Sequence, residues 1–558
     1  MTALSRHNPH IPNQREPIPG REAEMVQNAA GGYTFAKDVW TRLQDFIILG
    51  TEGGTYYVDE RRHTYANIAS LRESLAADGP RAVSLAVEIS TARPARAPKN
   101  YPALYVVAAA LATGDLETRR AAADAVPRVA RTTDHLAHLF GYFKSMAGGG
   151  GVGARSSPVI RRAWTNWFRS GTPDQVAYQI LKGRQRKTGS GEDFRPGDLL
   201  RLARPTPVGE VEDALFALAV GKRAPIEVSG HLANAKAFYE AQRADTPAKA
   251  VRAILAYHVP WEFLPTAVLS APEVWEALIP HLGITALIRN LAKMTSLGVL
   301  GPFRPANGTV AARLCDPAEL TRGRVHPFDL MLALKVYESG SAQPNAKAPR
   351  RVWTPVPEIV AALNRAYTVS FGVADRVSGR LVVAVDCSGS MSQGVVHGGS
   401  VLGSAYHVGS AFAQILMRTW SGDTWPLDFH GSAVPSRLHP DMDLSAVFRL
   451  FHNGGMTDCA APIAWALQHK IATDGFVLIT DNETWAGPRH VSTVLTEYRR
   501  RVNPAARVVV ASMTAAGHSI VDPQDDGVLN IAGFDSSLPQ LVASFVGAGL
   551  RPTPAGVV

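Results

Sequence analysis

The segment 381–390, LVVAVDCSGS, is the most informative part of this 558-residue chain. Its first five residues, Leu381–Val385, are apolar and mostly β-branched, as is typical of a strand buried on both faces of a parallel sheet. The strand is followed at once by the carboxylate of Asp386 and then by the hydroxyls of Ser388 and Ser390. Because ligands bind at the carboxyl edge of open parallel sheets, the segment predicts a buried strand that ends in a polar site.

The rest of residues 370–558 alternates in the same way between strand-like and helix-like patterns. Short apolar runs at Phe476–Ile479 and Arg507–Ala511 predict two further strands. The helix-like stretches between and around the strands are Ala405–Trp420, Cys459–His469 and Val491–Arg501. Strands that alternate with helices predict a doubly wound parallel α/β sheet for this region.

Two later segments carry more oxygen ligands to the same predicted edge. Gly454–Asp458 includes the hydroxyl of Thr457, and Asp481 directly follows the strand that ends near Ile479. Together with Asp386 and the two serines, these residues form an all-oxygen set that suits Mg²⁺ or Mn²⁺ and does not suit a thiolate zinc site. The alternative is that Asp386 and its neighbours only cap a helix and form a turn.

The first part of the chain has a helical pattern. Apolar residues recur every three or four positions in Val39–Leu49, Pro102–Ala112 and Pro247–His258. So many helices over residues 31–369 favour an array of stacked helix pairs of the HEAT type over one compact bundle. The proline-rich residues 1–30 predict a flexible N-terminal arm.

The charge is divided unevenly along the chain, whose formal net charge is +9. From Gly372 onward there are 12 Lys and Arg residues against 15 Asp and Glu residues, for a net charge of −3. The remaining 45 basic and 33 acidic residues give the preceding part a net charge of +12. This division indicates that the helical part binds a polyanion and that the α/β part does not.

Several classes of protein are disfavoured by the sequence. No apolar run is long enough for a membrane-spanning helix, and the N-terminus has no hydrophobic signal core. The three cysteines, Cys315, Cys387 and Cys459, have no metal-binding or disulfide spacing, so we expect a reduced, cytoplasmic compartment. Ser388 is not in a Gly-X-Ser-X-Gly nucleophile elbow, so we expect no catalytic activity, and Cys387 is expected to be a small buried apolar residue.

Eight separate segments resemble the Ro autoantigen family, also called TROVE-domain proteins. They are 49–57 (LGTEGGTYY), 285–294 (TALIRNLAKM), 324–328 (RVHPF), 454–459 (GGMTDC), 479–487 (ITDNETWAG), 497–499 (EYR), 512–514 (SMT) and 533–535 (GFD). The matching segments follow the order of the family and extend over residues 31–545, which is nearly the whole chain. The resemblance implies a HEAT-like helical-repeat ring over residues 31–369, closed within one chain by a von Willebrand A domain over residues 370–558.

The resemblance also implies a function. Family members bind small noncoding Y-type RNAs on the basic outer surface of the ring, and they bind single-stranded 3′ ends of misfolded RNAs through its central hole. Bacterial relatives assist RNA quality control, processing and decay, with a Y RNA tethering the ring to a 3′ exoribonuclease. By resemblance to the metal-ion-dependent adhesion site of von Willebrand A domains, Ser388, Ser390 and Thr457 would bind the metal directly, with Asp386 and Asp481 in support.

The strongest candidates for RNA contact lie in one basic block. Phosphates require long cationic side chains, and residues 182–187 supply four of them. The predicted RNA-binding residues of this region are Lys182, Arg184, Arg186, Lys187, Arg195 and Arg201. The family often has a histidine where this chain has Pro196, so a histidine-specific contact is in doubt. The alternative is a solvated basic loop.

Arg289 and Lys293 are the other predicted RNA contacts, because they lie four residues apart on one helix face. They would line the hole of the ring, or they are ordinary exposed helix charges. The aromatic residues Trp164, Trp167 and Phe168 are predicted to belong to the core instead of stacking on bases.

Two other functions compete with RNA binding. The first is a metal-dependent protein-interaction module in which the helical part is a spacer. The second is a metal-dependent hydrolase, which would need more metal-bound carboxylates than Asp386 and Asp481. The charge division favours the RNA-binding scaffold over both.

Overall fold

The computed structural model describes residues 11–50, 60–147, 157–184, 195–223, 231–343, 350–371, 379–392, 404–450, 454–533 and 535–548. The chain divides into two compact units. Residues 71–372 form the first unit, called here the helical unit. Residues 1–70 and 373–558 form the second, called here the α/β unit.

The helices are given in chain order. They are α1 Val39–Leu49, α2 Glu60–Thr91, α3 Tyr101–Thr113, α4 Leu116–Val129, α5 Thr133–Met146, α6 Pro158–Phe168, α7 Pro173–Arg184, α8 Pro196–Ala203, α9 Glu210–Ala219, α10 Ala233–Gln242, α11 Pro247–Tyr257, α12 Pro272–Leu278, α13 Ile284–Ser296, α14 Ala306–Leu314, α15 Pro317–Gly323, α16 Pro327–Glu338, α17 Pro357–Ser370, α18 Ala405–Thr419, α19 Leu444–Val447, α20 Ala461–Gln468, α21 Val491–Arg501 and α22 Leu538–Ala548.

The strands are also given in chain order, and the two outside the α/β unit, β3 and β4, are short. They are β1 Met25–Gln27, β2 Tyr33–Ala36, β3 Ser341–Ala342, β4 Arg351–Val352, β5 Leu381–Asp386, β6 Thr424–Phe429, β7 Ala433–Pro435, β8 Gly475–Thr480, β9 Arg507–Ser512, β10 His518–Ser519 and β11 Val528–Ala532.

Local signals in the sequence set where the helices of the helical unit begin. Several start with proline, which has no N–H to leave unpaired, as at Pro158 and Pro247. Thr132 caps α5 by accepting a hydrogen bond from the backbone N–H of His135. Helices that follow one another along the chain pack together, as α3 does with α4 and α5. The prediction of a helix-rich first part is therefore confirmed.

The aromatic residues near the basic block belong to the core. Trp164, Trp167 and Phe168 are almost fully buried in α6, and the indole N–H of Trp167 donates to the backbone carbonyl of Ala130 at 2.7 Å. The prediction that these side chains are core residues is confirmed, because rings buried in this way cannot stack on the bases of RNA.

The α/β unit contains a six-stranded sheet with the order β11-β9-β8-β5-β6-β7. All neighbouring strands are parallel except β7, which pairs antiparallel with β6 at one edge. All residues of β5 and β8 are buried, which agrees with their uninterrupted apolar sequence. The predicted doubly wound α/β fold is therefore confirmed.

The N-terminal residues differ from the prediction. The sequence predicts a flexible arm over residues 1–30, yet residues 11–30 pack within the α/β unit, and residues 1–10 lie outside the described part. β1 pairs with β2, and β2 pairs antiparallel with β10 near the C-terminus. The predicted boundaries at residues 30 and 31 thus fall within one compact unit that extends to Ser70. The reason is the strand pairing, which joins segments almost 500 residues apart.

The difference in net charge between the two units is slightly larger than that between the parts of the chain before and after Gly372. The helical unit contains 38 Lys and Arg residues and 25 Asp and Glu residues, for a net charge of +13. The α/β unit contains 19 basic and 23 acidic residues, for a net charge of −4. Among the described residues, no helix has the length and apolar character required to cross a membrane.

Candidate functional site

Asp386 and Asp481 lie side by side because the strands that carry them are neighbours. β5 and β8 are parallel, and Val385 pairs with Ile479. Asp386 is the last residue of β5, and Asp481 comes directly after β8. Both carboxylates are buried, with 0% and 2% of their surface exposed. The predicted polar site at the carboxyl edge of the sheet is therefore present.

Asp386 orders the turn that follows its strand. Its Oδ1 accepts a hydrogen bond from the backbone N–H of Ser388 at 2.8 Å, and its Oδ2 accepts one from the hydroxyl of Thr480 at 2.6 Å. The hydroxyls of Ser388 and Ser390 are 3.2 Å apart and buried. The carboxylate of Asp386 thus fixes the turn that brings these two hydroxyls together.

Thr457 reaches the same edge through a loop that depends on glycine. Gly454 and Gly455 have φ values of 68° and 139°, which other residues rarely adopt. The carbonyl of Gly455 accepts a hydrogen bond from the N–H of Gly389 at 3.1 Å, so the loop is tied to the turn after β5. The carbonyl of Thr457 accepts one from the N–H of Trp485 at 3.0 Å. Thr457 is thereby fixed between the two strand-end loops.

Two oxygen atoms of the predicted site are buried without a hydrogen-bond partner among the described residues. They are Oγ1 of Thr457 and Oδ2 of Asp481. The other carboxylate oxygen of Asp481 accepts a hydrogen bond from the backbone N–H of Glu483 at 3.1 Å. Burial of an unpaired polar atom costs free energy, so these oxygens indicate that a ligand is needed to complete the site.

The electrostatics of the site lead to the same conclusion. Burial, and secondly the charge of Asp481, raise the pKa of Asp386 to about 7. Burial also raises the pKa of Asp481. Within the described part of the chain, neither carboxylate forms an ion pair with a basic side chain. Two buried carboxylates without a counterion favour the binding of a cation.

The chemistry of the site fits a small, hard cation. Ser388, Ser390 and Thr457 offer hydroxyl oxygens, and Asp386 and Asp481 offer carboxylates, which are the ligand types that Mg²⁺ prefers. The described residues contain no group of three or more His, Cys, Asp or Glu side chains that could hold a metal. A metal at this site would therefore depend on the hydroxyls, and these five residues would hold it.

The N-terminal segment, residues 11–32, contacts the loop that follows Asp481. The sequence did not predict this contact. The side-chain amide of Asn28 donates to the carbonyl of Thr484 at 2.8 Å, and the N–H of Ala30 donates to the carboxylate of Glu483 at 3.1 Å. Gln14 is fully buried and accepts a hydrogen bond from the hydroxyl of Thr484 at 2.6 Å. The segment thus holds the loop from the side.

One local signal of this contact was present in the sequence. A Cβ atom on Gly32 would lie only 1.9 Å from the carbonyl oxygen of Thr484, so only glycine allows this approach. The dipeptide Gly31-Gly32 therefore marked a close backbone contact. It did not identify the partner, which lies more than 450 residues away.

The basic block is only partly within the described residues. Lys182 forms an ion pair with Glu262, with 2.8 Å between Nζ and Oε1, and its Nζ lies 5.7 Å from the ring centroid of Tyr178. Arg184 is the last residue of α7, and its side chain lies outside the described part, as do Arg186 and Lys187. A phosphate that binds Lys182 would therefore have to displace Glu262 from its ammonium group.

Arg195 directly precedes α8 as its N-cap residue, Arg201 lies on α8, and this helix contacts α7. Asp198 accepts a hydrogen bond from the backbone N–H of Arg195 at 3.0 Å and forms an ion pair with Arg201 at 2.9 Å. The side chains of Arg201 and Asp198 are 63% and 47% exposed, so this pair is weak enough to rearrange around a phosphate. Pro196, at the position of the family's histidine, is buried.

Arg289 and Lys293 lie one turn apart on α13, as predicted. Arg289 is exposed and lines a cavity of about 260 Å³ within the helical unit, and Lys293 is half-buried. Burial, and secondly the charge of Arg351, lower the pKa of Lys293. Arg289 thus carries a positive charge to the cavity, and Lys293 follows it one turn later on the same helix.

Comparisons with known proteins identify both units. Residues 212–368 match the TROVE domain family, and residues 380–546 match the Ro60 vWA domain family. The chain is 33% identical over 528 residues to the RNA-binding protein RO60 of Deinococcus radiodurans, covering 94% of this chain and 96% of that protein. It is 28% identical over 618 residues to the RNA-binding protein RO60 of Caenorhabditis elegans, covering 98% and 93%.

A solved structure agrees with these sequence matches. The crystal structure of the Deinococcus radiodurans RO (RSR) protein matches with a TM-score of 0.66 and 32% sequence identity. The match covers 92% of this chain and 100% of that protein. The relatives match this chain nearly from end to end, and the two family models match one unit each. The chain therefore belongs to the Ro60 family, with a TROVE domain and a Ro60-type von Willebrand A domain.

Proposed function

We propose that this chain is the RNA-binding scaffold of a Ro ribonucleoprotein. The observation that carries the proposal is the net charge of +13 on the helical unit against −4 on the α/β unit. A polyanion such as RNA is attracted to the first unit and repelled by the second. The relatives in Deinococcus radiodurans and Caenorhabditis elegans are both named RNA-binding proteins, which supports the proposal.

The family resemblance supplies the finer part of the proposal. The scaffold acts in the cytoplasm as a single-chain ring that binds a Y-type RNA on its basic outer surface. It admits single-stranded 3′ ends of misfolded RNA through its hole, and it assists RNA quality control and decay with a 3′ exoribonuclease tethered through the RNA. The scaffold itself is not an enzyme.

The α/β unit has a separate role in the proposal. The five oxygen ligands hold Mg²⁺, and the exposed side chain of Met456 beside Thr457 offers an apolar contact to a partner. Because hard cations favour oxygen, an acidic side chain of a partner protein is a suitable further ligand. We therefore propose the metal-dependent protein-interaction function for this unit and RNA binding for the helical unit.

The contacts of His407 support a non-catalytic role for the α/β unit. Its Nδ1 lies 2.8 Å from the hydroxyl of Ser404, at the start of α18, and its Nε2 lies 3.0 Å from the backbone carbonyl of Leu450. Both ring nitrogens therefore have structural partners, and neither is directed at the metal ligands by these contacts. In this proposal the histidine has a structural role at the start of α18 and no role as a base.

We expect that replacing Lys182, Arg184, Arg186 and Lys187 together with alanine will weaken the binding of structured RNA. Each lost phosphate contact should reduce the slope of log affinity against log salt by about 0.9 for duplex RNA regions. Lys182 should contribute least, because it first has to leave Glu262. Filter binding at several salt concentrations measures both the affinity and the slope.

A matched control removes four exposed basic residues elsewhere in the helical unit, by alanine substitution of Arg120, Arg128, Arg243 and Lys249. The control has the same net charge as the test variant, so a difference between them reports the position of the charges. Equal affinities and equal slopes for the two variants would show that the charges of residues 182–187 are only solvated and do not bind RNA.

We also expect misfolded RNA to need a single-stranded 3′ tail for binding. A hole that is too narrow for a duplex admits only an unpaired strand, and proteins usually recognise RNA at single strands and ends. The measurement compares a blunt-ended hairpin with the same hairpin carrying a 3′ tail or a 5′ tail. Equal binding of the three RNAs would disprove recognition of the 3′ end.

A further inference from the structure

Lys37 and Asp45 form a fully buried ion pair in the α/β unit. Lys37 follows β2, and Asp45 lies on α1. Their side chains are 0% and 1% exposed, and 2.7 Å separates Nζ of Lys37 from Oδ2 of Asp45. Such a pair is weak evidence for stability, because apolar side chains of similar volume often replace it without loss. The ammonium of Lys37 has a second contact, which connects the pair to the five oxygen ligands of the candidate metal site.

Hydrogen bonds lead from Lys37 to the turn after β8. Nζ of Lys37 donates to the hydroxyl of Ser512, at the end of β9, over 3.2 Å. The same hydroxyl accepts a hydrogen bond from the side-chain amide of Asn482 at 2.8 Å. All three side chains are buried. Because Asn482 directly follows Asp481, these two hydrogen bonds hold the residue next to a candidate metal ligand.

The hydrogen bonds continue from Asn482 to Asp386. The backbone N–H of Asn482 donates to the hydroxyl of Thr480 at 3.2 Å, and this hydroxyl donates to Oδ2 of Asp386 at 2.6 Å. A hydroxyl that accepts one hydrogen bond has its proton free to donate to another group, and here that group is the carboxylate. The position of Asn482 therefore affects both carboxylates of the candidate metal site.

The backbone of Asn482 has an uncommon conformation. Its φ of 68° lies in the left-handed region, which asparagine adopts more readily than most residues but still at a cost in free energy. Its side-chain Oδ1 is buried and has no hydrogen-bond partner within the described ranges, so the amide bond to Ser512 holds this side chain. Loss of that bond would allow the turn to relax and the carboxylate of Asp481 to move.

We propose that Lys37 is a positioning residue of the candidate metal site. Through Ser512 it fixes Asn482, and the fixed turn holds the carboxylate of Asp481 in the place where it binds a cation. The inference rests on the proposed metal-dependent function of the α/β unit and names a residue that supports it. Groups that orient metal ligands without touching the metal commonly affect metal affinity by about 10- to 100-fold.

The test measures the affinity of the full-length protein for Mg²⁺ by isothermal titration calorimetry. Ser512→Ala removes the hydroxyl that joins Lys37 to Asn482, and it leaves the ion pair with Asp45 in place. We expect this variant to bind Mg²⁺ about tenfold more weakly, at the lower end of the range for groups that orient metal ligands. Electron paramagnetic resonance of Mn²⁺ measures bound metal directly and should show the same loss.

A second variant, Lys37→Met/Asp45→Leu, replaces both members of the ion pair with apolar side chains. It leaves no buried charge without a partner, so it should fold. It should also bind Mg²⁺ about tenfold more weakly. Adding Ser512→Ala to it should weaken binding by less than Ser512→Ala does alone, because both changes act through the same hydroxyl. A general loss of stability would not produce this dependence of one change on the other.

The matched control removes another ion pair of the same unit. Arg380 and Asp474 are 2.9 Å apart and directly precede β5 and β8, so they lie at the opposite ends of the two strands that carry the carboxylates. Arg380→Gln/Asp474→Asn should bind Mg²⁺ as the wild type does, even where it lowers the melting temperature in chelator. The control thus separates metal affinity from stability.

The outcomes separate this inference from the function on which it rests. If the wild type binds neither Mg²⁺ nor Mn²⁺, the proposed metal site is wrong, and the inference fails with it. If the wild type binds Mg²⁺ and Ser512→Ala binds it equally well, the metal site stands and the positioning role of Lys37 is wrong. A lower melting temperature of Lys37→Met/Asp45→Leu with an unchanged Kd for Mg²⁺ would show that the ion pair only stabilises the fold.

Discussion

Magnesium should raise the melting temperature of the wild-type protein and should leave that of an Asp386→Asn variant unchanged. Asp386 holds the turn with Ser388 and supplies one of two buried carboxylates, so its loss removes charge and geometry together. A ligand present at 100 times its Kd stabilises the folded state by about 2.7 kcal/mol. Differential scanning calorimetry with Mg²⁺, with Mn²⁺ and with a chelator measures the effect.

The same variant should change the pH dependence of the metal-free protein. The pKa of Asp386 is about 7 in the folded protein, above its ordinary value of 3.8. The folded state therefore binds the proton more tightly than the unfolded state. The resulting stability is fully present below pH 3.8 and is lost as the pH rises through about 7. In chelator, the wild type should lose stability over this range, and Asp386→Asn should lose less.

Two controls make the result specific. Asp423→Asn changes an exposed carboxylate of the same unit and should keep the full response to magnesium. Binding of Y-type RNA should be the same in Asp386→Asn and wild type, because the RNA-binding residues that we propose belong to the other unit. If millimolar Mg²⁺ or Mn²⁺ does not change the melting temperature of the wild type, the site binds neither metal. The proposed metal-dependent protein-interaction function of the α/β unit is then wrong.

The three adjacent strands β5, β8 and β9 of the α/β unit could be predicted from the sequence because their signals are local. The apolar runs at Leu381–Val385, Phe476–Ile479 and Arg507–Ala511 lie within β5, β8 and β9, whose bounds differ from the prediction by one residue at most. A strand buried on both faces must be apolar throughout, and the residue after it must be at the sheet edge. These two facts were enough to predict that Asp386 and Asp481 lie close together.

The parts that could not be predicted depend on partners far away in the chain. The ion pair of Lys182 with Glu262 joins residues 80 positions apart, and no pattern near either residue indicates it. Likewise, the hydrogen bonds from Arg131 to Ser90 join residues 41 positions apart, and Arg131 lies in a loop between helices. Local periodicity predicts elements and their ends, and it does not predict which loops come together.

Gln14 is the clearest case of a residue whose role only the structure reveals. Its side-chain amide donates to the carboxylate of Asp458 at 2.8 Å and to the carbonyl of Arg489 at 3.1 Å. Its side-chain oxygen accepts from the hydroxyl of Thr484 at 2.6 Å and from the N–H of Gly487 at 3.1 Å. All of these partners lie in the loops around the candidate metal site.

We expect Gln14→Ala to destabilise the loop after Asp481 by about 3 kcal/mol, because it leaves several buried polar groups without partners. Burial already raises the pKa of Asp458, and the hydrogen bond from Gln14 opposes that rise. Hydrogen exchange of the loop, followed by mass spectrometry, should become roughly 100-fold faster. Gln27→Ala is the matched control, since the side chain of Gln27 is exposed and donates to the nearby carbonyl of Gly31.

A second substitution separates hydrogen bonding from shape. Gln14→Glu keeps the length of the side chain, but it replaces the donor to Asp458 with a carboxylate, so two buried negative charges would face each other. It should therefore destabilise the loop at least as much as Gln14→Ala at neutral pH, and less at acidic pH, where the carboxyls are protonated. If both variants exchange as slowly as the wild type, the N-terminal segment only covers the loop and does not hold it.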